Sequence, residues 1–366
     1  MAILRKIVVQ DFRNITLAEM SFSPNINCIS GNNGEGKTNL MDAIWYLSMT
    51  KSALSSSDRY SFRYGTDAFA ISGTYDMPLG TRSTFSIKVS SDGTKKLRRD
   101  DKPYKRISEH IGEIPIVMVS PSDGAMVNDS GEERRRFVNN VLSQLDSAYL
   151  SSMQQYNRLL QERNSLLKER DPDPGLLDVL DVRMDSFART ITQRRLSFIS
   201  ELSPVVSQYY TLLSGGKEKV EVALATDLGA ERTLLDILSR SREKDKVLGY
   251  TSSGVHRDDL LFMMDGHNIR RGGSQGQQKT FLVSLKMAQY EIMKKQYGYA
   301  PILLLDDVFD KLDLTRTSNL LKMVAGHDFG QIFLTDSNKV RLQGIVDNIT
   351  SDRAYFEAVG GNYTKL

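Results

Sequence analysis

The segment Gly31-Asn32-Asn33-Gly34-Glu35-Gly36-Lys37-Thr38 constrains this 366-residue chain more than any other. It fits G-x-x-x-x-G-K-[ST], follows the strand-like run 26–30, and opens a helical pattern carrying Leu40, Ile44 and Leu47. Glycines let consecutive backbone N–H groups converge on phosphate oxygens, and the start of the next helix adds free N–H groups and a positive dipole end. An ordinary glycine turn needs neither the Lys-Thr pair nor the helix that follows. Strand, loop and helix in this order predict an α/β fold with a phosphate-binding loop formed by Gly31, Asn32, Asn33, Gly34, Glu35, Gly36, Lys37 and Thr38. Lys37 is expected to reach the β- and γ-phosphates as a catalytic cation. Thr38 is expected to hold Mg²⁺ through its hydroxyl, so the expected cofactors are ATP and Mg²⁺.

A second run, Pro301-Ile302-Leu303-Leu304-Leu305-Asp306-Asp307, reads as a buried strand ending in two carboxylates. This resembles a Walker B box: Asp306 is the expected metal ligand and Asp307 the general base that polarises water. Leu312-Asp313 resembles the D-loop of ABC-type ATPases, and Thr335-Asp336 lies where that superfamily places its switch residue. Two segments compete for the signature that caps a triphosphate bound by a second subunit. Leu213-Ser214-Gly215-Gly216-Lys217 has the familiar spelling, but Val220, Val222 and Leu224 after it alternate like a strand. Ser274-Gln275-Gly276-Gln277-Gln278 runs straight into a helical stripe of Phe281, Leu285, Ala288 and Ile292. A signature needs a hydroxyl and N–H groups at a helix start, so Ser274, Gly276 and Gln277 are the expected γ-phosphate contacts, and 213–217 is expected to end a helix.

The order of elements predicts a split architecture. Short alternating runs from Phe69 to Arg99, punctuated by Pro78-Leu79-Gly80 and Ser91-Asp92-Gly93, predict an antiparallel β meander. From about residue 122 the texture is helical, with Tyr149, Met153, Tyr156, Leu159, Leu160 and Leu166 near one face of a helix expected over 143–170. Asp171-Pro172-Asp173-Pro174-Gly175 breaks it, and a second helix is expected to fold back over 176–213. The expected division is an ATPase head of residues 1–121 and 250–366, interrupted by a mainly helical arm of residues 122–249.

Composition narrows the classes. A mean hydropathy of -0.35 with 25% charged residues describes a globular chain and argues against membrane-spanning or disordered ones. The N-terminus alternates apolar and basic residues without a long apolar core, which reads as a strand, so the expected location is the cytoplasm. Forty-eight Lys and Arg against 45 Asp and Glu leave a formal charge of +3, so any nucleic-acid surface must be local. The densest basic stretch is Lys95, Lys96, Arg98, Arg99, Lys102, Lys105 and Arg106, with Tyr104 as a possible stacking ring. A solvated hairpin edge protected by lysines explains that stretch equally well. Arg134 to Arg136 rank second, with Glu132 and Glu133 as ready partners. The environment of His256-Arg257-Asp258-Asp259 suits either a nucleotide contact or a structural cluster.

Taken jointly, these motifs resemble those of the RecF family of bacterial recombination mediators, SMC-like relatives of the ABC ATPases. The resemblance also rests on Asp11-Phe12-Arg13-Asn14, Thr50-Lys51-Ser52, Arg134-Arg135-Arg136-Phe137, Tyr156 with Arg163-Asn164, and Gly254-Val255-His256-Arg257-Asp258-Asp259-Leu260. Asn139 and Lys279 depart from the Asp and Arg expected there. The resemblance implies an ABC/SMC-like head that dimerises on ATP and binds DNA at single-strand/double-strand gaps. It further implies cooperation with RecO- and RecR-type mediators to load RecA in repair and the SOS response, with ATP hydrolysis as a slow switch. An ABC transporter subunit, which needs a membrane partner, is the alternative. A metabolic P-loop kinase would need an acceptor pocket and no signature.

Overall fold

The computed structural model describes residues 1–229, 231–308, 316, 319–320, 323, 329–347 and 350–366, without the side chains of 341 and 345. The chain divides into two units, one of residues 1–124, 212–215 and 275–366, the other of 125–211 and 216–274. The D-loop candidate Leu312-Asp313 lies outside the described residues.

In the first unit, alternation builds an antiparallel sheet. In β1 (Ile3–Phe12), Ile7 and Val9 turn inward while Lys6 and Gln10 face out, the period-2 pattern of a half-buried strand. It pairs with β2 (Ile15–Ser21) on one side, and on the other β4 (Ala68–Asp76), β5 (Arg82–Ser90), β6 (Lys95–Arg99) and β7 (Lys102–Pro103) complete the expected meander. The second sheet holds β3 (Ile26–Ser30), β8 (Ile116–Val119), β12 (Ile302–Leu305), β13 (Ile332–Asp336), β14 (Arg353–Val359) and β15 (Asn362–Lys365), in the order β15-β14-β3-β13-β12-β8. Its pairings are parallel except for the closing β14–β15 hairpin. The central strands are apolar on both faces, as a sheet covered on both sides requires.

Between the two sheets lies α1 (Lys37–Met49), with 11 of its 13 residues buried. Enclosed on nearly all sides, it contributes Leu40, Ile44 and Leu47 to a core shared with Ile7 and Phe69 of one sheet and Leu304 and Phe333 of the other. The approach to β4 is so close that a Cβ at Gly73 would lie 2.6 Å from the Leu47 side chain. The single tryptophan, Trp45, is part of this core.

The second unit contains α2 (Gly131–Leu145), α3 (Ser147–Leu166), most of α4 (Pro174–Ser214), α5 (Leu234–Leu248) and a sheet of β9 (Val220–Ala225), β10 (Asp259–Met264) and β11 (His267–Asn268). Two sequence expectations change here. The helix expected over 143–170 breaks at Asp146, which leaves the helical region and accepts hydrogen bonds from the N–H groups of Ala148 and Tyr149 as the cap of α3. The arm does not end at residue 249. Antiparallel pairing of β10 with β9 draws 250–274 into this unit, and the first unit resumes at Gln275. Among the described residues no helix is long and apolar enough to cross a membrane.

Candidate nucleotide-binding site

The P-loop leaves the carboxyl end of β3 and enters α1, the position where open α/β sheets bind ligands. Gly34 and Gly36 take φ values of 88° and 106°. Gly36 caps α1 with no side-chain hydrogen bond, and the first turn carries no acid, so the N-terminal N–H groups and the dipole suit an anion. Space as well as φ demands glycine at this position. A Cβ at Gly36 would lie 2.9 Å from the Asn14 carboxamide and 3.0 Å from the Tyr363 hydroxyl, and one at Gly31 would lie 2.5 Å from the Ala358 carbonyl oxygen.

Those neighbours form a clamp around the loop. The Tyr363 hydroxyl donates to the Gly36 carbonyl (2.8 Å), the Gly361 N–H to the Glu35 carbonyl (2.9 Å), and the Gly360 N–H to the Glu35 carboxylate. Asn14, on the β1–β2 turn, accepts from the Asn39 amide at 2.7 Å. The same turn carries Arg13, which pairs with buried Asp42 of α1 (2.9 Å) and donates to Ser52 (2.9 Å). Ser52 in turn donates to Asp42 at 2.8 Å. Burial pushes the Asp42 carboxyl upward and the Arg13 charge opposes it. The Asp-Phe-Arg-Asn and Thr-Lys-Ser segments are thus one polar network that fixes α1 against β1.

Lys37 is almost fully buried, and its ammonium donates to the carbonyls of Gly31 (2.8 Å) and Asn32 (3.1 Å), poised over the mouth of the loop. Thr38 donates to Oδ1 of Asp306 at 3.1 Å, joining the expected metal ligands. Asp306 is fully buried, Oδ1 also accepts from the Thr335 hydroxyl at 2.6 Å, and among the described residues Oδ2 has no hydrogen-bond partner. Burial raises its pKa, the expected state of a desolvated carboxyl. A hydroxyl beside a buried carboxylate with one unused oxygen is a hard-donor set that fits Mg²⁺.

Asp307 follows at φ 45°, outside the regions a non-glycine residue normally occupies, and its N–H donates to the Thr335 hydroxyl at 2.9 Å. A backbone cost of this kind is characteristic of a functional position, here at the end of β12. Thr335 therefore spans both aspartates, a role the sequence did not reveal although it placed Thr335-Asp336 at the switch position. β13 lies between β3 and β12, so its Thr335 stands between the P-loop and the acidic pair.

The two signature candidates separate by conformation. Leu213 and Ser214 end α4, and Gly215 and Gly216 follow at φ 81° and 78°, the left-handed turn of a helix terminus. Ser274 instead immediately precedes α6 (Gln275–Tyr297), with Gly276 and Gln277 in its first turn. A Cβ at Gly276 would lie 2.7 Å from the Arg316 guanidinium.

The basic stretch divides by strand alternation. Lys95 turns inward, pairing with Asp58 (2.8 Å) and donating to the Thr50 carbonyl (2.7 Å). Arg99 pairs with Glu113 at 3.0 Å and Arg106 with Glu109 at 3.5 Å, while Lys96, Arg98, Lys102 and Lys105 remain exposed. The half-buried Tyr104 ring packs edge-on against buried His110, 5.4 Å between centroids. In the second unit, Arg134 pairs with Asp259 (2.6 Å) and Arg136 with Glu133 (3.2 Å), the pairing alternative. His256 is structural, bonded to Tyr156 (2.8 Å) and the Thr251 carbonyl (3.1 Å), and burial lowers its pKa to about 4. Asn139 accepts from Tyr149 (2.6 Å) and Arg195 (3.0 Å) in place of the charge pairing a carboxylate would make.

A family model described as the RecF/RecN/SMC N-terminal domain matches residues 3–351. The DNA replication and repair protein RecF of Porphyromonas gingivalis is 42% identical over 359 residues, covering 98% of this chain and 99% of that protein. The chain belongs to the RecF family. The RecF of Parabacteroides distasonis is 40% identical over 359 residues, with 98% of each chain covered. A solved structure of the recombination mediator RecF with ATP, in the RecFOR pathway, has a TM-score of 0.90 at 28% identity over 100% of this chain and 98% of that one. The Smc head domain of Pyrococcus furiosus shares the fold, with a TM-score of 0.58 at 15% identity over 100% of this chain and 96% of that one. RecF membership and the SMC-like head agree with the sequence reading, and these relatives do not favour a transporter subunit.

Proposed function

We propose that this protein is an ATP-dependent DNA-binding factor of recombinational repair and replication restart, acting at single-strand/double-strand gaps with RecO- and RecR-type mediators to help load RecA in the SOS response. Its nucleotide is ATP with Mg²⁺, its working form an ATP-held homodimer, and its place the cytoplasm. The observation that carries the reading is the buried Asp306 carboxylate at the mouth of a complete P-loop, bonded on one oxygen by Thr38 and Thr335 and, among the described residues, unpartnered on the other.

Bound Mg²⁺ would neutralise phosphate charge and orient the terminal phosphoryl group. The chain's own residues do the rest. Lys37 exchanges its carbonyl partners for phosphate oxygens, Asp307 accepts the proton of the attacking water, and Thr335 fixes both aspartates. Ser274, at the start of α6, caps the triphosphate held by the partner subunit, so neither copy alone surrounds the charge. A site of this kind turns over slowly and serves as a switch, because binding the triphosphate is linked to closing the dimer.

Sedimentation with and without Mg-ATP and gapped duplex tests this. The expected result is a monomer without nucleotide and a dimer with Mg-ATP that co-sediments with the gapped duplex. A wild-type protein that neither dimerises nor binds the duplex in Mg-ATP overturns the reading.

A further inference from the structure

The open face of the antiparallel sheet carries a basic trough that no part of the nucleotide site uses. Its floor is Ala70, Ser72 and Ser86, one wall is Val8 and Gln10 of β1, and the other is Lys88, Lys96 and Arg98, around a cavity of about 350 Å³. Strand register assembles it: Val8, Ser72, Ser86 and Arg98 form one cross-strand row, and Gln10, Ala70, Lys88 and Lys96 the next. Lys96 and Arg98 come from the basic stretch noted in the sequence. Lys88 is 8 residues upstream of Lys96 and is brought opposite it by the β5–β6 ladder.

Lys88 stands directly opposite Lys96, a cross-strand arrangement that destabilises a sheet. Among the described residues none of the three cations makes an ion pair with a carboxylate, although Asp92 in the β5–β6 turn feels the charge of Lys96. At the far end of the face Asp76 is already paired with Arg5 and Arg82. Three unpaired cations converging on small side chains complement an anion from outside the chain. The floor hydroxyls and the Gln10 amide are groups that contact sugar and phosphate, and small side chains let a backbone approach. Phe69, Tyr75 and Phe85 of the same strands all point into the core, so among the described residues this trough offers no ring for stacking an unpaired base.

We infer that this sheet face is a docking surface for the phosphate backbone of duplex nucleic acid, with Lys88, Lys96 and Arg98 as its contacts. The inference rests on the DNA-binding reading and assigns the duplex side of that contact to one surface.

The test is the salt dependence of binding to a fluorescent duplex in Mg-ATP, for the full-length protein and for the combined variant Lys88→Ala, Lys96→Ala, Arg98→Ala. The expected result is at least a tenfold loss of duplex affinity and a log–log salt slope shallower by about two to three units. Lys102→Ala with Lys105→Ala, the exposed cations beyond the trough, should stay within twofold of wild type. ATP affinity and melting temperature report folding, and the triple variant should melt no lower than wild type because the Lys88–Lys96 repulsion is gone. A folded triple variant that binds duplex within twofold, with an unchanged slope, overturns the inference and leaves DNA binding standing. A larger loss for oligothymidylate than for duplex overturns the assignment to duplex. Failure of wild type to bind any DNA overturns both this inference and the reading beneath it.

Discussion

At the residue scale, the chemistry of the site depends on one hydroxyl. Thr335 donates to Asp306 at 2.6 Å and accepts from the Asp307 N–H at 2.9 Å, while contributing nothing itself to the phosphate loop. Removing it by Thr335→Val leaves the P-loop intact but frees the Asp306 carboxylate to rotate and leaves the Asp307 N–H without its hydroxyl acceptor. Losing such an orienting group costs about 10–100-fold in activity. Turnover should therefore fall by about that factor with ATP affinity within threefold of wild type, and Thr335→Ser should restore most of it. Equal turnover in Val and wild type, measured by phosphate release at saturating Mg-ATP, removes the bridge from the mechanism. The sequence exposed Lys37, Thr38, Asp306 and Asp307 because each stands in a contiguous motif. It was silent on the Glu35–Gly360, Tyr363–Gly36 and Arg13–Asp42 contacts, whose partners lie up to 327 residues apart and meet only when the strands order themselves in a sheet.

At the element scale, the P-loop depends on elements that bind no phosphate. Gly361, at φ 81°, leaves no room for a side chain: its Cβ would lie 2.4 Å from the Asn14 carbonyl oxygen. Gly361→Ala should push the β14–β15 hairpin off the β1–β2 turn and loosen the loop between them. ATP affinity should then drop at least tenfold by titration, whereas Gly344→Ala, with open space around it, should leave binding unchanged. A second element-level joint is buried His110, whose Nε2 lies 2.7 Å from the Leu47 carbonyl at the end of α1 and whose pKa burial lowers to about 4. Because the folded state favours the neutral imidazole, its contribution is whole above the unfolded value of 6.5 and is lost as pH falls toward 4. Stability should decline by about 1.4 kcal/mol per pH unit for this group across that window. Unfolding of wild type and His110→Gln between those limits should show the steeper slope in wild type, and parallel slopes would refute the assignment. The meander and its alternation were legible because period 2 marks a half-buried strand locally. The break at Asp146 was obscured by apolar residues that keep helical spacing on both sides of the cap.

At the scale of the whole molecule, two units are built from interleaved sequence, and the arm boundary at 249 was misplaced because β9 and β10 are separated by α5 and pair only in three dimensions. The same limit hid Lys88, a neighbour of Lys96 across a ladder and not along the chain. What composition could state, a net charge of only +3, required any nucleic-acid surface to be local and could not say where. The reading that most depends on the assembled molecule is the composite site, with the P-loop of one copy facing Ser274 of the other. It has a consequence that intact motifs within one chain do not share. Lys37→Met spoils both P-loops of its own dimer, and Ser274→Arg spoils both signatures of its own. A mixed dimer unites an intact P-loop from the Ser274→Arg chain with an intact Ser274 from the Lys37→Met chain, so one of its two sites is whole. Random pairing at equal amounts makes half the dimers mixed, and independent sites would recover about a quarter of wild-type turnover. Each variant alone should be near background, and the mixture should exceed the sum of the two. A mixture no more active than its components, while still dimerising in Mg-ATP, would mean that each copy completes its own site.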